Sequence, residues 1–212
     1  MTLFRLKLKV KHFWILLTSP KLFADLDKIS MLHISALETI HRYSMHSKGD
    51  VVEVGAYIGG STIALSKGTN FKVHTFEKGG SYATHPHLPT DDILRDLNIN
   101  LKKFKADNVL VIPHTTDSEV GMASLESQLG GRKIGLLLLD ADGNIESLLS
   151  KLNKFLLDGA LVVIDDYLLV DGLMKSDITN LQVNRLIKEG VLTEDCVVGW
   201  GTWFGKINLN KS

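Results

Sequence analysis

The sequence predicts an α/β protein: a doubly wound, mostly parallel sheet of seven strands, with a C-terminal antiparallel hairpin and an N-terminal helical extension. Three observations carry that expectation. From Gly49 onward, short apolar runs alternate with longer segments of helical period. Two of the runs, Ile134–Leu139 and Ala160–Ile164, are apolar almost throughout, as strands buried on both faces between helix layers must be. The last two candidate strands flank Gly199–Gly201 so closely that they read as a hairpin.

Taken in order, the first 47 residues read as helical, with Leu32, Ile34, Leu37, Ile40 and Tyr43 at helical spacing. Strands are expected at 50–54, 71–76, 108–112, 134–139, 160–165, 192–198 and 202–207. Helices are expected at 60–67, 91–104, 118–129, 145–156 and 176–189. Val51, Val52 and Val54 are β-branched and suit the first strand. There is no repeat, low-complexity stretch or Pro/Gly-rich linker, so the chain divides only into an extension, 1–48, and a sheet domain, 49–212.

Composition narrows the function. The chain has 212 residues, 44% of them apolar, enough for one domain with a sizeable core. Lys plus Arg equals Asp plus Glu at 24 each, which gives no electrostatic case for nucleic acid as a partner. The single cysteine, Cys196, cannot form an internal disulfide and fits a cytoplasmic location. It stands in an apolar strand and reads as inert core, and Trp200 and Trp203 read as hairpin packing.

Met1–Thr18 combines Arg5, Lys7, Lys9 and Lys11 with Phe4, Leu6, Phe13, Trp14 and Leu17. Its apolar run is too short to span a bilayer, and no small-residue cleavage site follows it. Such a segment packs on the protein's own sheet or a second subunit, making a homo-oligomer, or lies on a membrane surface.

The stretch Asp50-Val-Val-Glu-Val-Gly-Ala-Tyr-Ile-Gly-Gly-Ser-Thr62 reads as strand, glycine turn and helix start. Gly55 permits a sharp turn, Gly59 and Gly60 let backbone approach a ligand, and Ser61 or Thr62 can cap the helix. A dinucleotide site needs a second glycine where this chain has Tyr57, so a dehydrogenase is disfavoured. The E-x-G-x-x-x-G-G-S-T pattern resembles motif I of class I S-adenosylmethionine (SAM)-dependent methyltransferases. That resemblance implies a Rossmann-like methyltransferase fold over 49–212, with Glu53, Gly55, Ala56, Tyr57, Gly59, Ser61 and Thr62 around the cofactor. It also places Thr115–Glu119 beside the adenine.

Carboxylates end the predicted strands. Glu77 stands 22 residues after Gly55, where doubly wound folds hold ribose hydroxyls. Asp140-Ala-Asp142 ends one apolar strand and Asp165-Asp166 another. Neighbouring strands would bring these acids together at the carboxyl edge, where their repulsion calls for a hard divalent cation. The alternative is that Asp165 caps a turn and Asp166 is solvated. No His or Cys spacing indicates zinc.

D-x-D followed by a helix and then I-D-D-Y resembles metal-dependent O-methyltransferases, most nearly the macrocin-type family that methylates sugar hydroxyls. Catechol and caffeoyl-CoA O-methyltransferases share the general metal arrangement. The resemblance covers residues 49 to about 170. It implies that Asp140, Asp165 and Asp166 hold Mg²⁺, that Asp140 also borders the cofactor, and that Asp142 is the base for a hydroxyl of a small molecule such as a sugar. The chain departs from the family at Gly143-Asn144, where Tyr or His is usual. His85, His87 and His114 offer a metal-independent base instead. A third reading is a non-catalytic methyltransferase-like domain that binds a partner or a membrane through residues 1–18.

Overall fold

The computed structural model describes residues 20–140, 143–168 and 174–211. Met1–Thr18, with its membrane, oligomer and partner readings, and Asp142 lie outside these residues. Two helices open the described chain, α1 (Lys21–Leu26) and α2 (Ile34–Met45). Then follow β1 (Asp50–Val54), α3 (Gly60–Gly68), β2 (Val73–Phe76), α4 (Ile93–Lys103), β3 (Val109–Ile112) and α5 (Glu119–Leu129). The second half runs β4 (Ile134–Leu139), α6 (Ile145–Leu152), β5 (Leu156–Ile164), α7 (Met174–Lys188), β6 (Leu192–Val198) and β7 (Thr202–Ile207).

The strands form one seven-stranded sheet in the order β3-β2-β1-β4-β5-β7-β6. β1 to β5 pair in parallel, and β7 runs antiparallel to both β5 and β6. Alternate residues of each strand enter opposite cores, as the two-residue period of a strand demands. Val52, Leu137, Val162 and Trp203 join α5, α6 and α7 on one face. Val51, Leu136, Val163 and Phe204 join α1 to α4 on the other. The helical extension from Lys21 therefore packs as part of one of the two covering layers. Strands read as continuous apolar runs are buried throughout in β4, as a sheet sandwiched between helices requires.

Several boundaries differ from expectation. The extension is not one helix: α1 gives way to a 3₁₀ turn at Asp27–Ile29, and Leu32 precedes α2, which His33 caps by accepting from the Ser35 amide. α6 stops at Leu152 and β5 starts at Leu156, because Leu156 pairs with Ile134 and Phe155 is buried. β2 starts two residues late, after a turn in which the Asn108 side chain donates to the Phe71 carbonyl at 2.9 Å. Cys196 is exposed and not core, because β6 is the outer strand of the sheet. Among the described residues, no helix is long and apolar enough to cross a membrane.

Candidate active site at the carboxyl edge of the sheet

The parallel register lines up Ile112, Phe76, Val54, Leu139 and Ile164 across five strands. The next residue on each of four strands then shares one row. Glu77 donates its amide to Ile112 O, Gly55 to Phe76 O, Asp140 to Val54 O and Asp165 to Leu139 O, at 2.9–3.1 Å. The strand order reverses between β1 and β4, which opens a crevice beside Gly55 and Asp140.

Gly55 has φ +92°, and a Cβ there would lie 2.3 Å from the Asp140 carbonyl oxygen, so no larger residue fits. Tyr57, at φ +49°, completes the turn. Glu77 holds that turn from the side, accepting from the Tyr57 amide at 2.8 Å and the Gly79 amide at 2.9 Å. Each carboxylate oxygen accepts two bonds, so Glu77 keeps capacity for two hydroxyl donors. It is no solvated loop carboxylate.

Glu53 holds the turn from below. It is fully buried and accepts from Ser61 and Thr62 at 2.6 Å and from Thr75 at 2.7 Å. Burial raises its carboxyl above the ordinary 4.5, and the three hydroxyl bonds pull it back. Glu53 and Thr62 are buried and bonded to each other beneath the turn. One expectation is corrected: neither Ser61 nor Thr62 caps α3, whose N-cap is Gly59.

On one side of Gly55 lies a cleft of about 430 Å³, lined by Glu77, Asp140, Asn144 and residues 114–117, which include the first three residues of the loop Thr115–Glu119 expected beside adenine. His114 lies there. On the other side Ala56, Tyr57, Ser61 and Asp140 line a small recess with Ser30, Met31 and Leu32. A nucleoside with a vicinal diol fits the large cleft chemically, with Glu77 as acceptor and the bare Gly55 backbone leaving room. Gly59 lines neither cavity; its φ of +97° shapes the start of α3.

Asp140, Asp165 and Asp166 each offer a carboxylate oxygen within 4.8 Å of the others. Asp165 accepts from Thr202 at 2.7 Å, and Asp166, at φ +56°, lies 2.5 Å from the Lys175 ammonium. Burial, then the neighbouring Asp165 and Asp166 charges, push Asp140 well above the carboxylate range. Burial and Asp166 push Asp165 up to about 6. Asp166 is 26% exposed at its side chain and is paired with Lys175, and Asp165 is tied to Thr202. Lys175 balances part of the charge, and an all-carboxylate donor set suits Mg²⁺ or a similar hard cation. Thr202 and Lys175 carried no sequence signal, because each reaches the acids by packing between distant segments.

The histidine loop stands apart. His85 and His87 line neither of the Asp140 cavities, and the His85 Nδ1 accepts from the His87 and Leu88 amides at 3.2 and 2.8 Å. Tyr57 donates its hydroxyl to the Leu88 carbonyl, tying this loop to the glycine turn. Trp203 is buried in the hairpin as expected, whereas Trp200 is 44% exposed.

No protein-family model and no curated protein matches the sequence. Solved structures do match in shape. The O-methyltransferase TomG from Streptomyces achromogenes, involved in tomaymycin synthesis and solved with SAM, superposes with a TM-score of 0.67 over 94% of this chain and 96% of its own, at 13% identity. Cofactor-bound Rv0187 from MTB gives 0.66 over 96% and 97%, at 17% identity. The O-methyltransferase from Bacillus cereus in complex with SAH gives 0.63 over 94% and 97%, at 13% identity. The fold is that of the O-methyltransferases. At such low identity the shared architecture does not transfer a substrate or a metal.

Proposed function

We propose that this protein is a SAM-dependent O-methyltransferase that uses a divalent cation, Mg²⁺ or a close relative, and methylates a hydroxyl of a small molecule such as a sugar. The observation that carries this reading is the single row of Gly55, Glu77, Asp140 and Asp165, which places a nucleoside-sized cleft and a three-carboxylate cluster around the same residue, Asp140.

SAM supplies an electrophilic methyl on a cationic sulfur, and the cation supplies a Lewis acid beside the acceptor oxygen. The Gly55 turn admits the cofactor against bare backbone, and Glu77 accepts the ribose hydroxyls. Asp140, Asp165 and Asp166 would hold the cation, with Thr202 orienting Asp165 and Lys175 orienting Asp166. The acceptor oxygen must lie behind the methyl carbon, so the fixed row of strand ends contributes by orientation. Asp142, two residues after Asp140, accepts the proton that the hydroxyl gives up, leaving a methyl ether and a neutral thioether. His85 is a poor rival base, because protonating its Nδ1 would break the loop bonds that it accepts.

Calorimetric titration with Mg²⁺ tests the metal assignment. The wild-type protein should bind one ion and Asp165→Ala should bind none. Equal binding by both would remove the acid cluster from the proposal. Asp142→Asn should keep cofactor binding and lose turnover.

A further inference from the structure

We propose that the outward face of α7 is a self-association surface, on which two copies of this chain pair through antiparallel α7 helices about a two-fold axis at Leu181. The pairing stands independently of the methyl-transfer reading.

One side of α7 is committed to the core. Ser176, Thr179, Val183 and Leu186 recur at helical spacing and are buried, the last two among the residues that cover the sheet. The other side carries Asp177, Ile178, Leu181, Asn184, Arg185 and Lys188, all exposed. Leu181 lies two residues from Val183, about 200° around the helix, so it stands on the outermost line. It is 71% exposed, and Ile178, one turn earlier, is 39% exposed. A solvent-facing helix line is ordinarily polar. Two large aliphatic side chains one turn apart on that line form a stripe that gains free energy when it is covered.

The charges on the same face say what covers it. Asp177 stands towards one end of the helix, Arg185 and Lys188 towards the other. In an antiparallel pair centred on Leu181 the two leucines meet at the axis. Three residues to either side, Ile178 of each copy faces Asn184 of the other. Four residues to either side, Asp177 of each copy faces Arg185 of the other. A parallel pair would set like charges together. Arg185 already serves Glu146, donating from Nε at 2.6 Å and from one terminal nitrogen. Those bonds fix the guanidinium, whose other terminal nitrogen still carries donors for Asp177. Charge also disfavours the chain's own N-terminus as occupant. Met1–Thr18 carries Arg5, Lys7, Lys9 and Lys11, which would meet Arg185 and Lys188, and the described chain begins beside α1, in the opposite helix layer.

The same helix carries Lys175, 2.5 Å from Asp166, and Asn180, which donates to the Tyr167 carbonyl at 3.0 Å. Pairing therefore braces, from the solvent side, a helix that touches the acid cluster. A single helix pair covers less than the roughly 1,200 Å² of a standard interface, so the dimer is weak, with a dissociation constant of about 10–100 μM.

Sedimentation equilibrium of the full chain at low salt, over about 5–300 μM, tests the pairing. Wild type should fit a monomer–dimer equilibrium in that range. Leu181→Glu and Asp177→Lys should each weaken it at least about tenfold, with the thermal midpoint unchanged because both side chains are exposed. The geometry has its own test in a Cys196→Ser background, which removes the native exposed thiol. Leu181→Cys should join two copies through a disulfide under mild copper-catalysed air oxidation, because the axis sets the two thiols side by side. Val120→Cys, equally open to solvent on α5, should not. A chain that stays monomeric throughout overturns the proposal. So does a dimer indifferent to Leu181→Glu, which would pair through another face, or a Leu181→Cys yield no greater than that of Val120→Cys.

Discussion

Glu53, fully buried beneath the glycine turn, accepts from three hydroxyls, those of Ser61, Thr62 and Thr75. Replacing it with Ala would leave three buried hydroxyls without their acceptor and should cost roughly 3–5 kcal/mol of stability, read by urea unfolding. Its pH dependence has a definite sign. Burial raises the folded carboxyl above 4.5, so above that pH the unfolded chain releases a proton that the folded protein retains. Stability from this group is complete below pH 4.5 and is lost as pH rises towards the folded value. Glu53→Gln should flatten that part of the urea midpoint profile; an unchanged slope would show that another group causes it. Gly55→Ala meets both a positive φ and the Asp140 carbonyl, and should weaken S-adenosylhomocysteine by roughly two orders of magnitude in calorimetry. The sequence exposed Gly55 because only glycine tolerates that backbone. It exposed the acids because carboxylates at the ends of apolar runs have few structural uses. It gave no sign that Glu53 is bonded to three hydroxyls beneath the turn, since an acid inside a valine strand does not show which way its partners lie.

At the scale of elements, the strands were the most legible part, because β4 and the core of β5 are apolar at nearly every position. Leu137, buried in the central β4 among α5, α6 and α7 residues, should lose about 2–5 kcal/mol on change to Ala, measured by thermal or urea unfolding. A loss under about 1 kcal/mol would mean that the two-layer core is not packed as described. Element ends were less legible. Leu156 and Leu157 continue the leucine spacing of α6, yet pairing with Ile134 claims Leu156 for β5. Cys196 looked like core because Val197 and Val198 follow it, yet the Thr193-Glu194-Asp195 run before it belongs to an exposed outer strand. Trp203 is turned into the core while Trp200 is 44% exposed with its ring packed edge-on against His33, a difference that nothing local in the sequence marks.

Across the whole molecule, the fold follows from alternating period and the glycine turn, and its strand order from the handedness of parallel crossovers. The site is an edge property: residues from four strands become neighbours only once the register is set. Lys175 and Thr202 therefore joined the acids without any signature of their own. The central claim is that this edge binds SAM beside a divalent cation. Calorimetric titration of S-adenosylhomocysteine into the purified protein, first with Mg²⁺ and then with EDTA, tests it most directly. The account predicts cofactor binding in both conditions, lost in Gly55→Ala, with a separate Mg²⁺ isotherm that Asp165→Ala abolishes. Absence of S-adenosylhomocysteine binding in both conditions would contradict it and leave a methyltransferase-shaped domain with another role.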